Sequence, residues 1–483
     1  MAQIWKYTKL MLKLIGVLFV AALLYFSPNI YHIYKWNPVV TPLTSYLYSS
    51  PETRKQARLD DVHFLRKLQS IDNSFTPAAS AQFHKELDQL KSVANSVSDA
   101  EFALAAAHAV ALADNGHTNI SANSLAENFN LLPVKFYWFD GNLHIVRTAP
   151  DYAHLLGAKV NTIGSKTISE ASVIANSYFG GPQNWRQYLS TVILESPALL
   201  NASGVSAKPN STMLNLTLEN DHSLDIELEA LPPKPNAIYR GIRPWMVLSE
   251  KRLPQESSPW HQYTSSWEDI PLYLSKPDTP YFAEEMEASN GLYIYLSFML
   301  SYGEHNIYAF WEELNQRIAD KRYKFIILDL RNNPGGDYNS SVSHIAKLPE
   351  YLEQNGKLFV ATTNATFSAA IVSTSVAKFH GGEQTQIIGT RVGDRDQFWA
   401  EGGFPFRLPN SQHRFSYATG YHDWVNGCAD THPLCYTENE GIVNPIKSLD
   451  PDIHVPLKFE DYQLGKDTVM ERILEIMNSR TGE

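Results

Sequence analysis

The chain has 483 residues, 44% of them hydrophobic and 19% charged. At roughly 150 residues per unit that length suggests about three units, and the apolar content excludes wholesale disorder. A formal net charge of −11 argues against a general nucleic-acid binder, and 2 cysteines are too few for a disulfide scaffold or a Cys-rich zinc site. Aromatic residues make up 12% of the chain, which fits a β-containing fold better than a coiled coil.

Leu14 to Phe26 is continuously apolar, and Lys6, Lys9 and Lys13 precede it with no acid before Glu52. That charge bias keeps an N-terminus on the cytoplasmic side. The run is short for a spanning helix, yet no clean small-x-small cleavage site follows it. The reading is a retained signal anchor over residues 1–35, with a cleaved signal peptide as the alternative. Either way the bulk of the chain is exported, to the periplasm or the extracellular space.

Residues 36–130 read as helical: AQFHKELDQLKSVANSV and DAEFALAAAHAVALA carry apolar residues at helical spacing. Residues 131–230 read as strand-rich. VKFYWFDGNLHIVRTA predicts a hairpin about Asp140-Gly141, and MLNLTLEN and LDIELEAL predict two more strands. Between Pro232 and Pro280 lie nine of the 27 prolines, so residues 231–285 read as an irregular, aromatic-rich connection. From 286 to 483 strands alternate with helices: GLYIYLSFM, a helix near Ala309 to Lys321, KFIILDL, a helix after Tyr338, KLFVATT, a helix from Ser368, and TQIIGT. That alternation predicts an α/β layer with a buried, largely parallel sheet.

Four separated places carry chemistry. In KFIILDLRNNPGGD a buried strand runs into Asp329 and Arg331 and then Gly335-Gly336. Adjacent glycines adopt conformations closed to other residues and can leave N–H groups aimed at an oxyanion, or can simply make a turn. In LFVATTNATFSAA, Ser368 opens a helix, as a cap or as a nucleophile. In ALADNGHTNI, His117 follows a helix end, as a solvated residue or a general base. YTENEGIVNP holds Glu438 and Glu440, ordinary loop carboxylates unless recruited.

Together these places resemble the tail-specific, or C-terminal-processing, serine protease family, in the branch typified by the tricorn core. Asp329, Arg331, Asn333, Gly335 and Gly336 resemble its D-x-R-x-N-x-GG turn, and Thr366, Ser368 and Ala369 its T-x-SA segment. Gly389 to Asp394 is a degraded form of its GepTgG stretch. Asp114, Gly116, His117 and Thr118 resemble DgHt with Asn115 inserted, and Glu438, Gly441 and Pro451-Asp452 loosely fit its carboxylate and gly-val-x-PD element. The resemblance implies a ClpP/crotonase-like catalytic core joined to a helical N-terminal domain and a small strand-rich middle domain. It further implies a serine peptidase with Ser368 as nucleophile, His117 as base, and Glu438, with Glu440 as competitor, as acid. Gly335 or Gly336 N–H, with Ala369 N–H, would hold the oxyanion. Many members use a Ser-Lys dyad. Here the corresponding stretch, Thr390 to Gln397, has Arg391 and Arg395 but no lysine, and arginine cannot serve as a base. The alternative is an inactive protease-fold protein that binds a peptide or a hydrophobic small molecule.

Arg391 and Arg395 are candidates to meet a peptide carboxylate. Cys428 and Cys435, seven apart in an exported chain, are expected to form a disulfide. HExxH, CxxC and G-x-S-x-G are absent from the sequence, and no metal or cofactor is called for. The expected partners are a peptide or unfolded-protein substrate and, through the N-terminal segment, a membrane.

Overall fold

The computed structural model describes residues 51–233, 243–402, 405–428, 432–436 and 445–480. Among these no helix is long and apolar enough to cross a membrane; the anchor expected over Leu14 to Phe26 lies outside the described residues, as do Glu438 and Glu440.

The N-terminal part is helical for local reasons. Helix Pro77–Val93 begins with Thr76 capping Ala79 N–H and proline at its first position. Helix Asp99–Ala111 begins with a reciprocal capping box between Ser98 and Glu101. It buries alanines on nearly every side, so neighbouring elements approach its backbone closely.

A seven-stranded sheet follows, built from β1 (Val134–Phe139), β2 (Asn142–Thr148), β3 (Lys159–Ile163), β4 (Lys166–Thr167), β5 (Ser211–Thr217), β6 (Ser223–Glu229) and β7 (His261–Gln262). The hairpin turns at Asp140-Gly141, both at positive φ (42° and 80°), which matches the twist of the paired strands. The segment read as strand-rich also contains three helices, Ile168–Asn176, Gln183–Leu194 and Pro197–Ala202. Trp185 and Tyr188, one turn apart on the second, face inward together.

The second sheet has six strands in the order β17-β12-β11-β10-β9-β8: β8 (Tyr281–Met286), β9 (Gly291–Leu296), β10 (Tyr323–Asp329), β11 (Leu352–Thr362), β12 (Thr385–Gly389) and, after four short strands described below, β17 (Ile453–His454). All neighbours pair in parallel except β8 with β9. Both faces are covered, which is why these strands are continuous apolar runs. Leu292, Ile294, Ile326, Leu328 and Val360 pack under helices Ile307–Ile318 and Ala369–Gly381. Tyr293, Tyr295, Phe325, Ile327 and Phe359 pack the other way, on Trp245, Tyr462 and Ile473. The helix expected after Tyr338 is two single turns, Tyr338–Ser340 and Val342–Ile345. The remaining strands form two small antiparallel pairs: β13 (Gln397–Ala400) with β16 (Gly420–Asp423), and β14 (Phe406–Arg407) with β15 (Arg414–Phe415). β13 and β16 lie against the histidine loop: Trp399 N–H on β13 donates to Asn115 Oδ1 at 3.3 Å.

Candidate active site

Parallel strands leave their C-terminal ends at one edge, and both the glycine turn and the serine segment leave from it. β10 ends at Asp329, which is fully buried and braced by Arg331 and by Tyr293 O–H at 2.8 Å. Arg331 continues to Asp467 at 2.7 Å, and these two carboxylates hold its guanidinium pKa well above the usual arginine value against the opposing effect of burial. Asp329 and Arg331 therefore shape the turn and do not face a cleft. Asn333 fixes the turn from within: its Nδ2 donates to Leu296 O at 2.9 Å and its Oδ1 accepts Gly335 N–H at 2.8 Å.

That last bond corrects one expectation. Gly335 N–H is taken, so it is not an oxyanion donor. Gly335 matters for space: at φ 111°, a Cβ there would stand 2.6 Å from Ser368 Cβ. The next donor, Gly336 N–H (φ 140°), has no hydrogen-bond partner among the described residues, nor does Ala369 N–H.

The serine segment is knotted to the same turn. Thr366 Oγ1 donates to Leu330 O at 2.8 Å and accepts Thr363 N–H at 2.9 Å, and Phe367 N–H donates to Asn333 O at 2.9 Å. Ser368 sits at φ 55°, ψ −122°, a conformation costly for a residue with a side chain. It does not cap the helix that it opens. Its half-buried side chain is thereby presented at the N-terminus of a 13-residue helix, beside Gly335 and Ala369 N–H. Positive partial charge there favours an anion.

His117 arrives from the helical part on a loop held by distant partners. Thr118 Oγ1 donates to the buried Asp72 at 2.7 Å, Asn119 Nδ2 to Gly116 O at 2.7 Å, and Trp185 Nε1 to the same oxygen at 3.2 Å. Burial pushes the Asp72 carboxyl above its ordinary value, against hydrogen bonds from Ser74, Thr118 and Ala418. The His117 ring stacks on Phe367, the residue before Ser368, at 4.3 Å between centroids, and on Phe398 of β13 at 5.6 Å. His108, on the preceding helix, pairs instead with Glu86 at 2.8 Å.

No protein-family model matches the chain, and no curated protein matches it in sequence. Solved structures do. The fold is similar to that of mature CPAF. The likeness covers 88% of this chain and 97% of that one, with a TM-score of 0.52 and 12% identity, so it is a likeness of fold. The neighbours also include the photosystem II D1 C-terminal processing protease (TM-score 0.34, 12% identity, 86% of this chain and 98% of that one) and the tricorn protease (0.38, 12%, 89% and 37%).

Within this CPAF-like fold the remaining candidates divide. Arg391 pairs with Asp396 at 2.7 Å and with Asp450, and Arg395 pairs with Asp114 at 2.8 Å. Both guanidinium groups tie loops together. Lys378 is bound to Asp452 at 2.6 Å. Cys428 and Cys435 are disulfide-bonded, with Cα atoms 5.6 Å apart. Cys435 bridges to Tyr421 on β16, so the bond backs the strand that carries His422, whose ring stacks on Phe398 at 5.0 Å.

Sequence reasoning missed the ring stacking on His117 and the acid beside it. Asp394 Oδ2 lies 3.6 Å from His117 Nδ1. Its signal was present in the degraded GepTgG stretch, which ends on this aspartate. Among the described residues no cluster of His, Cys, Asp and Glu has a metal-binding arrangement.

Proposed function

We propose that the chain is a serine peptidase acting on peptides or unfolded protein. One observation carries this reading: Ser368, held at positive φ beside the Gly336 and Ala369 N–H groups, which have no partner among the described residues, lies next in sequence to the phenyl ring on which His117 stacks. In the reaction, His117 takes the Ser368 proton as Oγ attacks the scissile carbonyl. The oxyanion forms on Gly336 and Ala369 N–H, with the helix N-terminus behind them. The imidazolium then passes its proton to the leaving amine, and water, activated by the same base, releases the acyl group. The family resemblance gives the acid role to Glu438, and takes the six-stranded sheet as a ClpP/crotonase-type core.

Labelling with a fluorophosphonate and mapping the modified residue tests this. Modification of Ser368, abolished in Ser368→Ala and strongly slowed in His117→Gln, is the expected result. An intact, folded chain that is not modified there overturns the reading.

The second reading, a binding protein, draws on a cavity of about 110 Å³ lined by Phe136, Trp138, Tyr188, Leu189, Val192 and Arg243. Tight binding of an apolar ligand by a chain that resists the fluorophosphonate would favour it.

We further propose that Leu14 to Phe26 anchors the chain and that the catalytic part is exported. The lysine bias supports this, as does the disulfide, which persists in oxidising compartments. A reporter that works only outside the cytoplasm, fused after residue 50, should be active; an inactive fusion, with a reporter that works only in the cytoplasm active at the same position, overturns the topology.

A further inference from the structure

The His117 ring stacks on Phe367 and on Phe398, with interplanar angles of 28° and 11°. Among the described residues the carboxylate beside Nδ1 is that of Asp394. This carboxylate is 1% exposed; its Oδ1 accepts Arg395 N–H at 2.9 Å, while its Oδ2, 3.6 Å from Nδ1, has no hydrogen-bond partner among the described residues. Both ring nitrogens of His117 are also buried and have no hydrogen-bond partner among the described residues. A buried carboxylate oxygen left bare is costly, and neither nearby arginine relieves it. Arg395 reaches Asp114, and Arg391 reaches Asp396 and Asp450.

Two backbone features make the approach possible. A Cβ on Gly116 would stand 2.7 Å from Asp394 Oδ2, so the missing side chain before the histidine leaves room for the carboxylate. Gly393 N–H donates to Thr366 O at 2.8 Å, so Asp394 is carried on the same backbone knot as Ser368.

We propose that Asp394 is the positioning residue of the site, the carboxylate that receives the Nδ1–H of His117. This rests on the serine-peptidase reading and moves the acid role from Glu438 to Asp394. With the Nδ1 proton held, Nε2 is left as the free base. It takes the Ser368 proton, and the ionised carboxylate stabilises the imidazolium without itself becoming protonated. The 3.6 Å separation tightens when substrate closes the site, as resting-state catalytic contacts commonly do. Among the described residues, Asp114 pairs with Arg186 and Arg395, and His422, which stacks on Phe398, with Glu401 at 3.3 Å.

The test compares Asp394→Asn with Glu438→Gln in the full chain, on an unstructured protein substrate. Asp394→Asn is expected to lower kcat by ~10³–10⁴, with KM within about threefold, by analogy with loss of a triad aspartate. The acid limb of its pH profile should move to lower pH, because an imidazolium without its carboxylate gives up its proton more readily. Glu438→Gln should leave that limb in place. An Asp394→Asn enzyme with kcat within about tenfold of wild type and an unmoved limb, or movement of the limb by Glu438→Gln instead, overturns the proposal. If Asp394→Asn does not melt cooperatively, ¹⁵N-histidine NMR of the wild type decides, with His117 identified by its loss in His117→Gln. The Nδ1–H tautomer is expected and the Nε2–H tautomer overturns it. Failure of fluorophosphonate to label wild-type Ser368 would instead sink the underlying peptidase reading. Normal labelling with an unaltered Asp394→Asn confines the failure to Asp394.

Discussion

The two sides of the site are held by different means. The serine side is a knot of short backbone and side-chain bonds between the ends of neighbouring parallel strands: Asn333 to Gly335, Thr366 to Thr363 and Leu330, Phe367 to Asn333. Its rigidity includes a serine in a costly conformation. The histidine side is a loop whose place is set from elsewhere, by Asp72, Trp185, Phe398, Asp394 and Arg395. The nucleophile's geometry is thus local and preorganised, whereas the base's depends on how the helical part docks against β13 and β16.

Breaking the serine side should cost most. Ser368→Ala is expected to lower turnover of an unstructured protein by on the order of 10⁴–10⁶ while leaving thermal unfolding unchanged. Retention of more than about a tenth of wild-type activity, against that expectation, removes Ser368 from the chemistry.

Gly335→Ala should come next. The added methyl would meet Ser368 Cβ at 2.6 Å, at φ 111°. A displacement of the nucleophile by a fraction of an ångström to an ångström costs about 10² in rate. Steady-state kcat beside a thermal melt checks this; an alanine variant with normal kcat would mean the turn has slack.

The histidine side should be the more sensitive to acid. His413 packs against Phe129 and near Ser124 in the helical part, and burial pushes its pKa down to about 4. The unfolded chain binds that proton near 6.5. The contribution is therefore complete above pH 6.5 and is lost as pH falls toward 4, by on the order of 2 kcal/mol at pH 4.5. Urea denaturation at pH 7 and pH 4.5 should show this loss in wild type and a smaller one in His413→Asn. Equal losses in both would place the acid sensitivity elsewhere. Hydrogen exchange at pH 4.5 should then open the 99–131 region before the second sheet.

The smallest effect expected is that of the disulfide. It backs β16 and, among the described residues, is linked to His117 through His422 and Phe398. Cys428→Ser with Cys435→Ser should therefore lower kcat several-fold, about 1 kcal/mol in barrier, with KM nearly unchanged. A loss as large as that of Ser368→Ala would mean that the bond holds a group in direct contact with the reaction.

The sequence alone determined much of the serine side and most of the second sheet. Apolar runs between glycines specify buried parallel strands, and Gly335-Gly336 marks a turn that only glycine can make against Ser368, because these are constraints between residues close in the chain. Pattern also marked His117 and the cysteine pair. It did not show the ion pairs of Arg391 and Arg395, since a guanidinium is written the same whether it faces solvent or an aspartate, and Asp114 and Asp450 lie far from them in sequence. The Phe367–His117–Phe398 stack and the approach of Asp394 to Nδ1 were decided by tertiary structure. They join segments about 250 to 280 residues apart, and ring stacking and carboxylate proximity leave no periodic trace in a chain; they exist only once the helical part has packed against the edge of the second sheet.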